Sequence, residues 1–386
     1  MRHLSSRLSL AIACAVVSGC VSDSKPTVSR KVAALSEQPA LELGETWSRE
    51  NDDEAAQILD ATENMLKAHA EKDTVTRRDA HPKHHGCTKA FFDIDAKNLA
   101  AEQQVGIFAP GAQKEYQAWV RFSNGEPTGA TASDLNSDVR GMAIKLMNVP
   151  ETQTGSHDLV MCTAPEFFSK DSADYLELHQ ALTRSQTSVL WYLATHPTNA
   201  LRIYAARVKI ASPLEAPYYS AVPYKMGNRS MRFSVEPCEK HAELPQDDSD
   251  PNFLRTRLVQ TLQTGERCFR FFVQPNMNPG RQLVEDPRIV WNKKTSPRIQ
   301  VATLRIPAQS GIDSKEQMNL CENLSFDPWH SQAALRPLGQ INRVRSLVYR
   351  SISEFRHHEN HVTAAEPRDH DPCRGSAASL CEEPRR

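Results

Sequence analysis

The stretch Arg343-Val344-Arg345-Ser346-Leu347-Val348-Tyr349, continued to Arg356, governs how the rest of the chain is read. In a helix, offsets of four and seven return to one face, so Arg345, Tyr349 and Arg356 share a stripe. Leu347, Val348, Ile352 and Phe355 cover other faces. Taken alone, the stripe suits a solvated face with a half-buried Tyr. The sharper alternative is an ionised phenol. A free phenol loses its proton near pH ~10, so a phenolate at neutral pH needs a metal and a neighbouring cation. Arg345, one turn before Tyr349, supplies that charge and can donate to the phenolate oxygen. Arg356 lies 11 residues beyond Arg345, roughly 16 Å at ~1.5 Å per residue, which matches the width of a large planar ligand.

Upstream of this helix, strand signals stand at Val105 to Phe108, Tyr116 to Ser123, Val139 to Met147 and Asp158 to Cys162. They return at Met231 to Val235, Cys268 to Val273 and Val301 to Ile306. Within Tyr116 to Ser123, alternation puts Trp119, Arg121 and Ser123 on one face. Helical periodicity runs from about 53 to 71 through Ala55, Ile58, Leu59, Thr62, Met65 and Leu66, and a second helical stretch spans about 171–208. The last helix covers about 340–356. Strands in the middle with helices inserted and appended predict an α+β fold: an antiparallel β-barrel or sheet core with inserted and C-terminal helices.

Composition removes other classes. The 386 residues allow one large domain or two ordinary ones, and 39% hydrophobic with 24% charged residues excludes a disordered or multi-span membrane chain. Lys+Arg 46 against Asp+Glu 47 offers no electrostatic case for nucleic acid. Residues 1–19 read as a signal peptide: Arg2 and Arg7 precede Leu8 to Val17, an apolar run too short to span a bilayer. Val17-Ser18-Gly19-Cys20 resembles the lipobox of bacterial lipoproteins, which implies that Cys20 is lipidated and becomes the first mature residue. The competing reading is an ordinary cleaved signal with Cys20 incidental. Val21 after the Cys implies, on the same resemblance, an outer-membrane anchor facing the periplasm. Residues 20–45 then form the lipidated Cys and a polar tether, 46–370 the main domain, and 371–386 a disordered tail. Seven further cysteines, an odd number without CxxC spacing, indicate neither a zinc ribbon nor a disulfide scaffold. An oxidising compartment permits one or two bridges, and the spacing leaves their pairing and the oligomeric state open.

The Arg-x-x-x-Tyr of the last helix, with a further Arg seven residues on, resembles the proximal helix of the catalase family. Four upstream segments occur in that family's order. Arg78-Asp79-Ala80-His81-Pro82-Lys83 resembles its distal segment, Arg121-Phe122-Ser123-Asn124 its RFS strand, and Asp138-Val139-Arg140-Gly141-Met142-Ala143-Ile144-Lys145 its D-x-R-G-x-A-x-K strand. Asp158-Leu159-Val160 with Pro165-Glu166-Phe167-Phe168 resembles DLV…TPxFF. The likeness covers about 75–360, and within the family it is nearest to small, haem-only catalase-like bacterial lipoproteins, since long N-terminal arms and a flavodoxin-like domain are missing.

The resemblance implies haem b as cofactor, with Tyr349 as iron ligand and Arg345 beside it. It implies propionate contacts from Arg78, Arg121 and Arg356, and a pocket bordered by Phe167 and Phe168. His81 becomes the acid/base, with Ser123 bonded to it. Where the family places a distal Asn this chain has Thr163, so strong hydrogen peroxide dismutation is not expected. The implied activity is haem-dependent consumption of hydrogen peroxide or organic hydroperoxides at the cell envelope, as catalase, peroxidase or lipid hydroperoxide isomerase. Two other readings stand beside it. One is a non-enzymatic haem-binding lipoprotein. The other is a zinc or copper cluster of His81, His84, His85 and Cys87, against which Pro82 and Gly86 argue by breaking any helix there.

Overall fold

The computed structural model describes residues 40–70, 75–126, 132–239, 249–375 and 377–384. The signal peptide, Cys20 and most of the tether lie outside these residues. Helix α1 (Arg49–Ala70) comes first and is followed by the strands β1 (His84–Ile94), β2 (Glu115–Asn124), β3 (Arg140–Met147) and β4 (Ser156–Cys162). Three helices are inserted next: α2 (Ser172–Arg184), α3 (Gln186–Thr195) and α4 (Pro197–Ala206). The chain returns through β5 (Tyr218–Tyr219), β6 (Tyr224–Met226) and β7 (Arg229–Pro237), then α5 (Phe253–Thr264), β8 (Arg267–Pro275) and β9 (Ile299–Ile306). It finishes on α6 (Lys315–Asn323) and α7 (Gln340–Glu359).

The pairings β5-β4-β3-β2-β1-β9-β8-β7, with β7 also bonded to β5, close an antiparallel barrel of eight strands; β6 adds a short hairpin to β7. Alternation explains the filling. Tyr116, Ala118, Val120 and Phe122 of β2 point into the barrel with Phe92, Ile144, Leu146, Phe233, Phe271 and Leu304, all buried. Phe92 meets Phe271 edge-on at 5.1 Å between centroids. Trp119, Arg121 and Ser123 therefore face outward, as alternation requires. Trp119 packs on Leu320 and Leu324 at the α6 end, and α1 and α7 pack on each other through Ala55, Ile58, Leu59 and Leu66 and through Val344, Leu347, Val348 and Ile352.

Several expectations need correction. Val105 to Phe108 is not a strand: Gly106 adopts φ 57°, and residues 106–108 close a 3-10 turn. The helical stretch 171–208 is three helices, because Ser185 is extended and caps α3, while Pro197 starts α4. Three disulfides form where one or two were expected: Cys87–Cys321, Cys238–Cys268 and Cys373–Cys381. The last of these orders the tail. Leu380 is buried, and Asn323 Nδ2 donates to the carbonyls of Leu380 and Glu382 at 2.9 and 3.1 Å. The tether's end is also structural, since Glu45 is buried and paired with Arg336 at 2.7 Å and Arg343 at 3.3 Å.

Candidate functional site

Between α1 and β1 the chain turns at His81, whose φ of 58° is one that a non-glycine residue adopts only when its surroundings hold it. Arg121 Nη2 donates to the His81 carbonyl at 2.9 Å, and Ser123 Oγ lies 3.3 Å from His81 Nδ1. Gly141, paired with Ser123 across β2 and β3, leaves room for the ring: a Cβ there would stand 2.6 Å from Nδ1 and 2.7 Å from Ser123 Oγ. Burial, reinforced by Arg121, pushes His81 down to about 4. The imidazole is therefore neutral at pH 7 and free to accept a proton.

Helix α7 supplies another part of the lining. Glu45 anchors its first turn by accepting the Gly339 N–H at 3.0 Å, a carboxylate placed at the positive end of the helix. Burial would raise the Glu45 pKa, but Arg336, the Gly339 N–H and Arg343 outweigh it and hold it ionised. One stripe of α7 then carries the reacting groups. Arg345 Nη2 donates to the Tyr349 hydroxyl at 3.2 Å and Nη1 to Asn342 Oδ1 at 3.0 Å. Burial disfavours the Arg345 charge, yet the adjoining Tyr349 and Tyr224 more than compensate and raise its pKa.

A third group gathers at one end. Arg78 Nη2 donates to the carbonyls of Glu322 and Leu324 at 3.0 and 2.6 Å, and Arg356 donates to those of Glu322 and Asn323 at 2.6 and 3.2 Å. These carbonyls end α6, so its negative pole holds two guanidinium groups. Glu322, kept ionised against its burial by His84 and Arg78, answers part of the charge. Arg78 Nη1 and Arg121 Nε remain buried without a partner. Burial, then Arg78 and Arg356, lowers the Arg121 pKa. Cations that crowd one another beside orphaned donors form a seat for an anionic group.

Two adjoining cavities, of about 90 and 290 Å³, lie among these groups, and His81, Asp79, Met161 and Tyr349 line both. Arg78, Arg121, Ser123 and Arg356 line the smaller; Arg345 and the Phe167–Phe168 pair, stacked at 4.4 Å, line the larger. A phenol, an imidazole, two aromatic rings and three arginines along these cavities fit the donor set that haem would require. The structure thus brings together every expected site residue among those described except one.

The exception is Thr163. Its hydroxyl accepts the Arg140 N–H at 3.0 Å and its own N–H donates to the Arg140 carbonyl at 2.9 Å, so it prolongs the β3–β4 ladder and lines neither cavity. Cys162, paired with Gly141, occupies the wall instead. Its thiol is unbridged, and burial raises its pKa. The metal-cluster reading is also corrected. Nε2 of His84 faces Glu322 at 3.5 Å, Nε2 of His85 meets Asn124 at 2.9 Å, and Cys87 is bridged to Cys321. Sequence reasoning passed over Asp79 and Tyr175 in the cavity wall. Asp79 was visible two residues before His81, and burial raises its pKa.

A family model described as catalase matches residues 45–196, which include His81, Ser123 and Phe168 but stop before Tyr349. No curated protein matches the chain. Among solved structures, a fungal catalase aligns at TM-score 0.59 and 19% identity, over 75% of this chain and 61% of its own. Catalase A from Saccharomyces cerevisiae aligns at TM-score 0.60 and 18% identity, over 75% and 63%. The chain thus spans a little over three fifths of the length of these two enzymes and shares their fold.

Proposed function

We propose that the chain, whose residues 45–196 match the catalase family model and whose fold is that of two catalases, is a haem-dependent, peroxide-consuming member of that family at the cell envelope. One observation carries this reading: His81, Tyr349 and the three guanidinium groups of Arg78, Arg121 and Arg356 line one and the same cavity. Tyr349 would ligate the iron, while Arg78, Arg121 and Arg356 would hold the propionates. When bound, haem supplies the redox chemistry of cleaving the peroxide bond.

The chain's own residues supply the proton handling. Ser123 occupies His81 Nδ1 and leaves Nε2 for the substrate. Neutral His81 takes the proton from the nearer peroxide oxygen and returns it to the departing one, base first and acid second. Arg345 donates to the Tyr349 oxygen at 3.2 Å and so fixes the direction of the ligand oxygen and keeps positive charge beside it. Phe167 and Phe168 keep the pocket apolar. Among the described residues no Asn or Gln lines either cavity, so none of them offers bound peroxide the amide donor that the family uses. We therefore expect oxidation of organic donors to exceed oxygen release.

Localisation follows from the lipobox-like Cys20, with attachment to the outer membrane facing the periplasm. The described residues contain no helix long and apolar enough to cross a membrane. The test is peroxide-dependent dye oxidation by the haem-loaded chain. His81→Ala should retain haem and lose turnover. Haem bound stoichiometrically with no turnover in the parent would establish the non-enzymatic binding protein instead.

A further inference from the structure

Five of the nine large apolar side chains that are exposed among the described residues fall in one segment, 182–204. Leu182, Leu190, Trp191, Leu201 and Tyr204 are 49, 68, 72, 68 and 79% exposed, and they sit at the end of α2 and along α3 and α4. These helices already possess a small core of Leu178, Ala181 and Tyr192, so the outward side chains are surplus to it. Charge singles out the same segment. From residue 181 to 210 the chain carries Arg184, Arg202, Arg207 and Lys209 and no Asp or Glu, although acids slightly outnumber bases overall. Arg207 is paired with Glu126 at 3.5 Å. Leucines, an indole and a phenol in a segment whose charged side chains are all basic match a bilayer with anionic headgroups: apolar side chains enter the acyl boundary, Trp and Tyr lie at headgroup depth, and the cations meet phosphate. Leu182 and Ala206 also line the 290 Å³ cavity that His81 lines, so that cavity reaches this segment.

We propose that α3, α4 and the end of α2 seat on an anionic lipid surface and turn this cavity toward it. Resting on the peroxide reading above, this makes acyl-chain hydroperoxides the substrates that reach His81, entering from lipid and not through bulk water.

Trp191 is a built-in reporter. The full chain is mixed with phosphatidylcholine vesicles, with or without phosphatidylglycerol, carrying bromine on their acyl chains. Anionic vesicles should quench tryptophan fluorescence, and Trp191→Phe should remove that quenching whatever the N-terminus does. In Leu190→Ser/Leu201→Ser/Tyr204→Ser, which retains the reporter, half-quenching should need roughly tenfold more lipid. Circular dichroism and turnover of hydrogen peroxide should not change, since none of the three lines the cavity. Absence of Trp191 quenching by anionic vesicles overturns the proposal, as does self-association through this face that the triple variant abolishes. Quenching without any peroxide turnover upholds the docking surface and removes only the substrate reading.

Discussion

Gly141→Ala isolates the distal imidazole without touching any group proposed to bind haem. The added methyl would stand 2.6 Å from His81 Nδ1, 2.8 Å from its Cε1 and 2.7 Å from Ser123 Oγ. Comfortable contact between such atoms is ~3.5–4.0 Å, so the ring must retreat by about 1 Å. It has little freedom to do so, because its carbonyl is held by Arg121 and its Nδ1 by Ser123. Overpacking of this kind costs about 1–3 kcal/mol of stability. Misplacing a catalytic group by about 1 Å costs on the order of 10²-fold in rate. The assay pairs haem titration, followed by absorbance, with peroxide-dependent dye oxidation at matched haem occupancy. Affinity should change little and turnover should fall about a hundredfold. A variant that turns over like the parent would refute the assignment of His81 as the proton carrier.

Three other outcomes follow from the geometry. Cys162→Asn places an amide on the wall beside His81 and should raise oxygen release from hydrogen peroxide roughly tenfold, measured with an oxygen electrode, whereas Thr163→Asn should not raise it; the reverse order would restore Thr163 to the site. Cys321→Ser opens a bridge of sequence separation 234 between α6 and β1. It should lower stability by up to about 5 kcal/mol in denaturant titration, and it should weaken haem binding because α6 seats Arg78 and Arg356; unchanged haem affinity would detach α6 from the site. Burial holds His81, His84, His157 and His357 down at about 4 and His85 at about 3, against 6.5 when free. Below pH 6.5 the unfolded chain takes up protons that the folded chain refuses. Stability should therefore fall as pH drops from 6.5 toward 4, by on the order of 3 kcal/mol for each group fully expressed. A Tm that is flat between pH 7 and 4.5 would contradict this.

The stripe of Arg345, Tyr349 and Arg356 was legible because helical spacing alone places those residues together. Strand alternation likewise separated Arg121 and Ser123 from the barrel interior. Register was not legible. Whether Cys162 or Thr163 meets the cavity depends on pairing with Gly141, and a one-residue difference exchanges the two faces. Strand β1 escaped notice because its first half is buried on both faces, which erases alternation in a run of His, Gly, Cys and Thr. The tail read as disorder because composition does not reveal a bridge between Cys373 and Cys381 or a docking place for Leu380 on α6. Glu45 looked like tether because its partners, Arg336 and Arg343, lie almost three hundred residues away.

The central claim is coordination of iron by the phenol of Tyr349, and the absorption and electron paramagnetic resonance spectra of the haem-loaded chain test it most directly. The parent should give a high-spin ferric spectrum with a tyrosinate charge-transfer band, and Tyr349→Phe should remove that band. A band that persists unchanged in Tyr349→Phe would contradict the account.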